Sequence, residues 1–149
     1  MTRMRSMLPA ECVAAETHGI RCEVRVALAL SHSEFTHHLA LLFVYRVTLI
    51  GLDDARVGQL THRSWIIDNA GRQETVNGPG VIGLYPKVSP GSHFSYESCC
   101  RIQSDVQPGG VQVGSMRGSL KFRASNGTTF EIEVPRFSFF APHVMHFDE

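Results

Sequence analysis

The sequence has no excess of charge of either sign, because its 14 lysines and arginines balance 14 aspartates and glutamates. A protein that holds nucleic acid through its phosphates carries a basic surplus, so nucleic acid is not an expected partner. Long apolar runs are lacking too. The longest, Leu39 to Tyr45, is far shorter than the roughly 20 residues of a membrane helix, so no membrane segment is expected.

Signatures of common catalytic sites are also missing. The chain contains no G-x-S-x-G elbow, no H-E-x-x-H pair and no Walker loop. Cys99 or Cys100 with one of the histidines can be drawn as a nucleophile and its base. Such a pair needs hydrogen-bond contact, which the sequence does not show. We therefore expect a protein that is not an enzyme and that uses no cofactor.

The few cysteines do not form a disulfide or zinc pattern. There is no C-x-x-C pair and no secretory segment, which favours reduced thiols inside a cell. Adjacent residues of a strand point to opposite faces, so we expect one thiol of Cys99 and Cys100 to be packed inside and the other to be exposed.

The first residues leave two locations open. Arg3 and Arg5 precede the first acidic residue, Glu11, as in the Arg-rich start of a mitochondrial presequence. The stretch is short, and acidic residues follow it. A flexible N-terminal segment of a cytoplasmic protein is the preferred interpretation, and mitochondrial targeting is the alternative.

Short alternating segments separated by turn residues follow from residue 21 onward, and no window of useful length has helical periodicity. This pattern predicts an all-β fold, an antiparallel β-sandwich of about seven or more strands. The expected division is a flexible segment 1–19, a sandwich domain 20–140 and a C-terminal tail 141–149. The segments read as strands are 21–30, 39–52, 56–68, 93–102, 114–124 and 128–140.

Gly78, Gly80 and Gly83 have the G-x-G-x-x-G spacing of a dinucleotide-binding loop. That loop requires a buried strand before it and a helix after it, whose N-terminus holds the phosphates. Here the preceding residues are polar, and Pro86 and Pro90 prevent a helix. The sequence context therefore argues against a Rossmann fold.

A turn explains the same glycines better. Pro79 fits position i+1 of a type II turn and Gly80 fits i+2, where φ is positive. The alternative is an anion or nucleotide site, in which glycine N–H groups form a small nest beside nearby cations. Its candidate residues are Gly78, Gly80, Gly83, Arg72 and Lys87.

The chain also has two histidine clusters. His143 and His146 are followed by Asp148 and Glu149, and His37 and His38 are adjacent. Imidazole with carboxylate suits zinc or cobalt, but no cysteine pair completes a tetrahedral set. Solvated histidines are the preferred interpretation, so no metal site is predicted.

The C-terminal part is rich in aromatic residues. Alternation predicts Phe137 and Phe139 on the core side of the last strand. The remaining apolar residues, Phe140, Met145 and Phe147, would form an exposed patch of the kind found at protein interfaces. They are the candidate partner surface, and core and tail packing is the alternative.

Several motifs follow one another in a fixed order along residues 20 to 140. They are W-x-I at 65–67, G-x-G-V-x-G at 78–83, a P-x-x-x-P-G run at 86–91, F-x-Y-x-S at 94–98, G-x-M-x-G at 114–118 and the G-x-x-F and V-P-x-F endings at 127–130 and 134–137. Together these motifs resemble the ApaG domain family. One departure is His62-Arg63-Ser64 before the tryptophan, where the family reads Ser-Arg-His.

The resemblance implies a non-catalytic β-sandwich, immunoglobulin-like or fibronectin type III-like. It also implies a role in protein–protein interaction or assembly, with another protein as partner and a homo-oligomer as a further possibility. Bacterial members are linked genetically to cobalt tolerance and magnesium efflux, and eukaryotic copies are protein-binding modules. Binding of pyrophosphate or a nucleotide at residues 78–83, with a link to divalent-cation homeostasis, is the alternative function.

Overall fold

The computed structural model describes residues 7–29, 33, 39–69, 71–104 and 112–140, which form strands and turns without a helix. The fold is an all-β sandwich of two antiparallel sheets, as predicted. No helix in the described residues is long and apolar enough to cross a membrane. The strands are β1 (Met7–Thr17), β2 (Ile20–Ala29), β3 (Leu39–Gly51), β4 (Gly58–Asn69), β5 (Arg72–Pro79), β6 (Lys87–Val88), β7 (His93–Ser104), β8 (Gln112–Arg123) and β9 (Thr129–Phe140).

The two sheets have different strand orders. The first sheet has the order β1-β2-β3-β7, and the second has the order β5-β4-β8-β9, with the short β6 also paired to β4. All pairs are antiparallel, so each strand presents one row of side chains to the space between the sheets.

The alternation of apolar and polar residues determines which face of each strand is turned towards the core. In β2 the buried positions run from Ile20 to Leu28 in steps of two, with arginine and glutamate between them. In β9 a bulge opposite the Met116–Gly118 step inserts one extra residue at Pro135. This bulge turns Phe137 and Phe139 into the core, where both are fully buried. The predicted core position of both phenylalanines is confirmed.

Three aromatic rings form the centre of the core. Trp65 of β4 makes edge contacts with Tyr45 of β3 at 6.0 Å and with Phe137 of β9 at 6.2 Å between ring centroids. Tyr45 and Phe137 are 5.3 Å apart. A Cβ atom at Gly118 of β8 would lie 3.0 Å from the Trp65 ring, so glycine leaves the space that the indole fills.

The sandwich is closed along one side by β1 and β9. The Glu133 N–H donates to the Thr17 hydroxyl at 3.2 Å, and the Ser138 N–H donates to the Glu11 carboxylate. Side chains of β1 thus satisfy edge donors of β9, which is one way to protect a sheet edge. On the other side, β5 and β7 each end their sheet.

Three strands lie where none was predicted, and the shortest of them is the two-residue β6 at 87–88. Residues 7–17, expected to be part of a flexible segment, form β1 and pair with β2. Residues 72–79 read as polar loop because all of them except half-buried Gly78 are exposed, yet they form the edge strand β5. An edge strand that covers no core has no apolar alternation to reveal it.

Candidate functional site

The glycine loop begins where β5 ends, and its backbone explains Gly80. This residue has a φ of +62°, in the left-handed region that favours glycine, and its N–H donates to the Thr61 carbonyl at 2.9 Å. A Cβ atom here would lie 2.7 Å from the Leu84 carbonyl oxygen. The positive φ predicted for Gly80 is confirmed.

The hydrogen-bonded turn of the loop lies one step beyond the predicted one, at residues 81–84. Val81 and Leu84 exchange N–H to carbonyl bonds of 2.9 and 2.8 Å. The two central residues, Ile82 and Gly83, have φ values of +44° and +79°. Positive φ at both positions is the pattern of a type I′ turn, which asparagine followed by glycine fits best.

Arg63 of β4 binds two backbone carbonyl groups at the start of this loop. Its Nη1 donates to the Pro79 carbonyl at 2.9 Å and to the Gly80 carbonyl at 3.0 Å. Gly78 lies directly opposite Arg63 in the sheet, and a Cβ atom there would be 3.0 Å from Nη2. Each of the three glycines therefore has a structural reason. Gly78 leaves room for the Arg63 guanidinium, Gly80 allows the close approach of the Leu84 carbonyl, and Gly83 allows the tight turn.

Arg63 is the residue that our sequence reasoning missed. It lies within the departure from the family pattern, where His62 and Ser64 differ but the arginine of Ser-Arg-His-Trp is kept. The cations proposed instead lie elsewhere: Arg72 pairs with Asn69 at the opposite end of β5, about 20 Å from Gly78 along the strand. Lys87 lies on β6 and pairs with Gln59.

Most backbone donors of the loop are already engaged. Pro79 has no N–H, and the N–H groups of Gly80, Val81 and Leu84 bond to carbonyl oxygens. The guanidinium of Arg63 also faces carbonyl oxygens. Anion binding at Gly78, Gly80 and Gly83 with Arg72 and Lys87 stays a prediction, and the structure does not bring those five residues together around one point.

Phe140 is the one residue of the candidate partner surface that the structure describes. It ends β9 opposite Gln112, and its side chain is 37% exposed. Met145 and Phe147 lie outside the described residues, as do the histidines at 37, 38, 143 and 146. No three His, Cys, Asp or Glu residues among those described are grouped to hold a metal ion.

The paired thiols occupy opposite faces of β7, as predicted. Cys99 is exposed, whereas Cys100 is half-buried against the core. Burial raises the pKa of the Cys100 thiol to about 11. A nucleophilic cysteine has its pKa lowered by a neighbouring base or cation, so the environment of Cys100 is the reverse of an activating one.

An open groove of about 1070 Å³ lies beside the glycine loop, on the outward face of the second sheet. Its floor is a row of register partners on three adjacent strands: Lys87 of β6, Gln59 of β4 and Arg123 of β8. Neighbouring strands are about 4.8 Å apart, so the two cations flank the glutamine over about 10 Å. None of the residues that line the groove is acidic.

Apolar side chains form the walls of this groove. Tyr85 and Val57 line it and are 47% and 59% exposed. The Gln59 amide donates to the Tyr85 carbonyl at 3.0 Å and joins the wall to the floor. These groove residues come from three separate segments of the sequence, at 57–59, 85–87 and 123. Sequence spacing therefore does not predict that they meet.

Substitution of Arg63 by methionine tests its role in the loop. We expect the free energy of unfolding to fall by about 1–2 kcal/mol, because two bonds from a charged donor are lost at a partly exposed site. Urea unfolding followed by far-UV circular dichroism measures it. Arg117→Met, an exposed arginine of β8, is the control and should change stability by less than about 0.5 kcal/mol. Equal losses in both variants would contradict the assignment.

Comparison with known proteins agrees with the fold. The family model of the ApaG domain matches residues 31–124. Protein ApaG of Bdellovibrio bacteriovorus is 39% identical over 105 residues, which cover 70% of this chain and 76% of that protein. Protein ApaG of Aromatoleum aromaticum is 37% identical over 106 residues, 70% of this chain and 77% of the relative.

Solved structures give the same result. An X-ray structure from the Northeast Structural Genomics Consortium superimposes with a TM-score of 0.69 and 27% identity, covering 88% of this chain and 93% of that one. A crystal structure of an ApaA protein from Bordetella pertussis has the same TM-score and identity, covering 83% and 93%. With a family match over more than half of its length and the sandwich that the motifs predicted, the chain belongs to the ApaG domain family.

Proposed function

We propose that this domain is a non-catalytic protein-binding module whose groove takes an acidic, extended segment of another protein. The observation that carries the proposal is the Lys87–Gln59–Arg123 row, two cations on one face with no acidic residue lining the groove. In the polyproline II form of an extended chain, with three residues per turn, carboxylates three residues apart lie on one face and are separated by about 9 Å, close to the distance between the two cations. Charge complementarity of this kind guides encounter and fixes register.

The apolar wall supports a peptide rather than a free anion. Tyr85 is an exposed aromatic residue, a type that is enriched at protein interfaces. Ile82, on the same loop, is 56% exposed and has a left-handed backbone that is unfavourable for a β-branched residue. An apolar side chain held at a strained, exposed position favours a contact role for the loop.

The direct test uses a labelled peptide with the core Glu-Phe-Leu-Glu and a matched peptide with both glutamates replaced by glutamine. Fluorescence anisotropy in low salt is expected to show binding of the glutamate peptide alone, weakened several-fold at high salt. Lys87→Glu and Arg123→Glu should each weaken binding at least about tenfold, since attraction to the peptide carboxylates becomes repulsion.

Two control variants separate this surface from others. Arg117→Glu changes the same kind of charge on the same strand but outside the groove, and it should leave the peptide affinity unchanged. Phe140→Ser tests the surface expected from the sequence, which lies at the far end of β9 from the Arg123 turn. No binding of the glutamate peptide at millimolar concentration, or equal losses with Arg117→Glu, would overturn the groove.

Titration with pyrophosphate and ATP distinguishes the anion site of residues 78–83 from the groove. Gly80→Val is unsuitable as its binding-site variant, because a β-branched residue there would meet the Leu84 carbonyl oxygen at 2.7 Å. Gly83→Asn is better, since nothing lies within 4 Å of that position and asparagine tolerates a left-handed backbone. Heat released by pyrophosphate with the native protein and lost with Gly83→Asn would favour the anion site.

A further inference from the structure

Strand β7 is a long sheet edge with little protection: among the described residues, one side chain bonds to its backbone, the Asn69 amide donating to the Arg101 carbonyl at 3.4 Å. It pairs with β3 over all 12 of its residues in one unbroken register, from His93 to Ser104, with no bulge and no proline. In the part of the chain that the structure describes, no strand pairs with its other side. Free N–H and C=O groups on a straight edge are a template for another strand. The β9 edge, in contrast, is covered by side chains of β1.

The charges on the outward face of β7 are arranged symmetrically about Cys99. Glu97 lies two residues before it and Arg101 two residues after it, and all three side chains are exposed on one face. If two copies pair antiparallel with Cys99 opposite the partner's Cys99, then Glu97 faces the partner's Arg101. The two-fold axis creates the same contact a second time.

Other registers on this face do not have this complementarity. A centre on Glu97 would put it opposite the partner's Glu97, and a centre on Arg101 would put two guanidinium groups together. Like charges directly opposite each other destabilise a strand pair, whereas opposite charges stabilise it. If the register shifts by one residue, so that Cys99 faces the partner's Ser98 or Cys100, Glu97 and Arg101 are no longer directly opposite each other. The charge pattern therefore selects one register.

The side chains of Glu97 and Arg101 are available for this contact. Arg46 of β3 donates to Glu97 from Nε at 3.1 Å and from Nη2 at 2.8 Å, and both bonds go to Oε2. The carboxylate is thus held on the outward face while Oε1 receives neither bond. Arg101 makes no ion pair with any residue that the structure describes.

We propose that β7 pairs antiparallel with β7 of a second copy, in the register centred on Cys99, and joins two four-stranded sheets into one of eight strands. The proposal does not rest on the acidic-peptide groove, because the groove belongs to the other sheet. The occupant of the β7 edge is identified by its own charge pattern, which is complementary to itself.

Analytical ultracentrifugation of the full chain tests the pairing. The native protein should show a concentration-dependent monomer–dimer equilibrium under reducing conditions. Glu97→Arg and Arg101→Glu each place like charges at both contacts and should weaken dimerisation by about tenfold or more. An equimolar mixture of the two variants restores both ion pairs in a heterodimer, so the mixture should dimerise as tightly as the native protein. Glu131→Arg, on the other sheet, should have no effect.

A thiol cross-link tests the register. Two copper(II) phenanthroline complexes, the oxidant, each accept one electron from a pair of thiols, which release two protons to solvent and form one S–S bond. We expect this bond between Cys99 and the partner's Cys99, since antiparallel neighbours lie within the Cα separation that a disulfide spans. Cys99→Ser should abolish the cross-linked dimer and Cys12→Ser should not. A native protein that stays monomeric at 200 µM, a mixture that fails to associate, or a dimer cross-linked only through Cys12 would each overturn the proposal.

Discussion

Replacement of Trp65 by alanine is expected to lower the free energy of unfolding by about 3–5 kcal/mol. The indole is only 4% exposed and contacts rings from both sheets, Tyr45 on one side and Phe137 on its own sheet. Its removal leaves a cavity that rigid strands on both sides cannot fill. Because a domain of this size has a total stability of about 5–15 kcal/mol, the variant should be close to unfolding at body temperature.

Urea unfolding followed by far-UV circular dichroism measures this loss, since the substitution removes the chain's one tryptophan and with it the fluorescence signal. Ile66→Ala is the matched control: it is the next residue of β4, half-buried and on the outward face, and should cost about 1 kcal/mol or less. Similar losses in the two variants would mean that the core is centred elsewhere.

Stability is expected to fall steeply in alkali. Burial raises the pKa of the Cys22 thiol to about 12 from its ordinary value of 9.0. The folded state therefore keeps this proton when the unfolded chain has lost it, so the contribution is complete below pH 9 and disappears as the pH rises towards 12. At pH 11 the difference amounts to roughly 2.5 kcal/mol, and Tyr96, whose pKa burial also raises, adds to it.

Urea titrations at pH 8 and pH 11 check this prediction. Cys22→Ala should reduce the difference between the two pH values by roughly 2.5 kcal/mol, even though its stability at pH 8 is lower. Cys12→Ala, at an exposed thiol, should retain the native difference. An unchanged pH dependence in the Cys22 variant would show that its thiolate is tolerated inside the sandwich.

The fold was predictable where strands cover a core. Alternation in β2 and in β9 identified buried residues directly, and the turn residues between segments separated the strands. The prediction failed at β1 and β5 for a common reason: strands at the margin of a sandwich bury little, so hydrophobic periodicity does not mark them. Pairing, rather than side-chain burial, makes these segments strands.

The site was less predictable than the fold. Proline and glycine revealed a tight loop, but its partner Arg63 is brought there by sheet register, which local spacing does not encode. The same holds for Lys87 and Arg123, which are neighbours of Gln59 only after three strands have paired. A charge row across strands is visible in a sequence only when the register is already known.

The two proposed surfaces are compatible with each other. Pairing through β7 uses the edge of one sheet, and the groove lies on the outward face of the other, so a dimer would carry two free grooves. A partner with two acidic segments would then bind with higher avidity than one segment alone allows. Measurement of peptide affinity with the Glu97→Arg variant separates the two effects, because a monomeric domain should still bind one peptide.

The contact of β9 with both β8 and β1 also has a consequence for synthesis. This strand supplies five buried side chains and closes the gap between the sheets, yet every other strand precedes it along the chain. Until the ribosome has released β9, the nascent chain carries an uncovered apolar surface and an unpaired edge on β8, the conditions under which chains aggregate or engage chaperones. Completion of this sandwich therefore waits for the last of the described strands, and it depends on contacts between residues more than 100 positions apart.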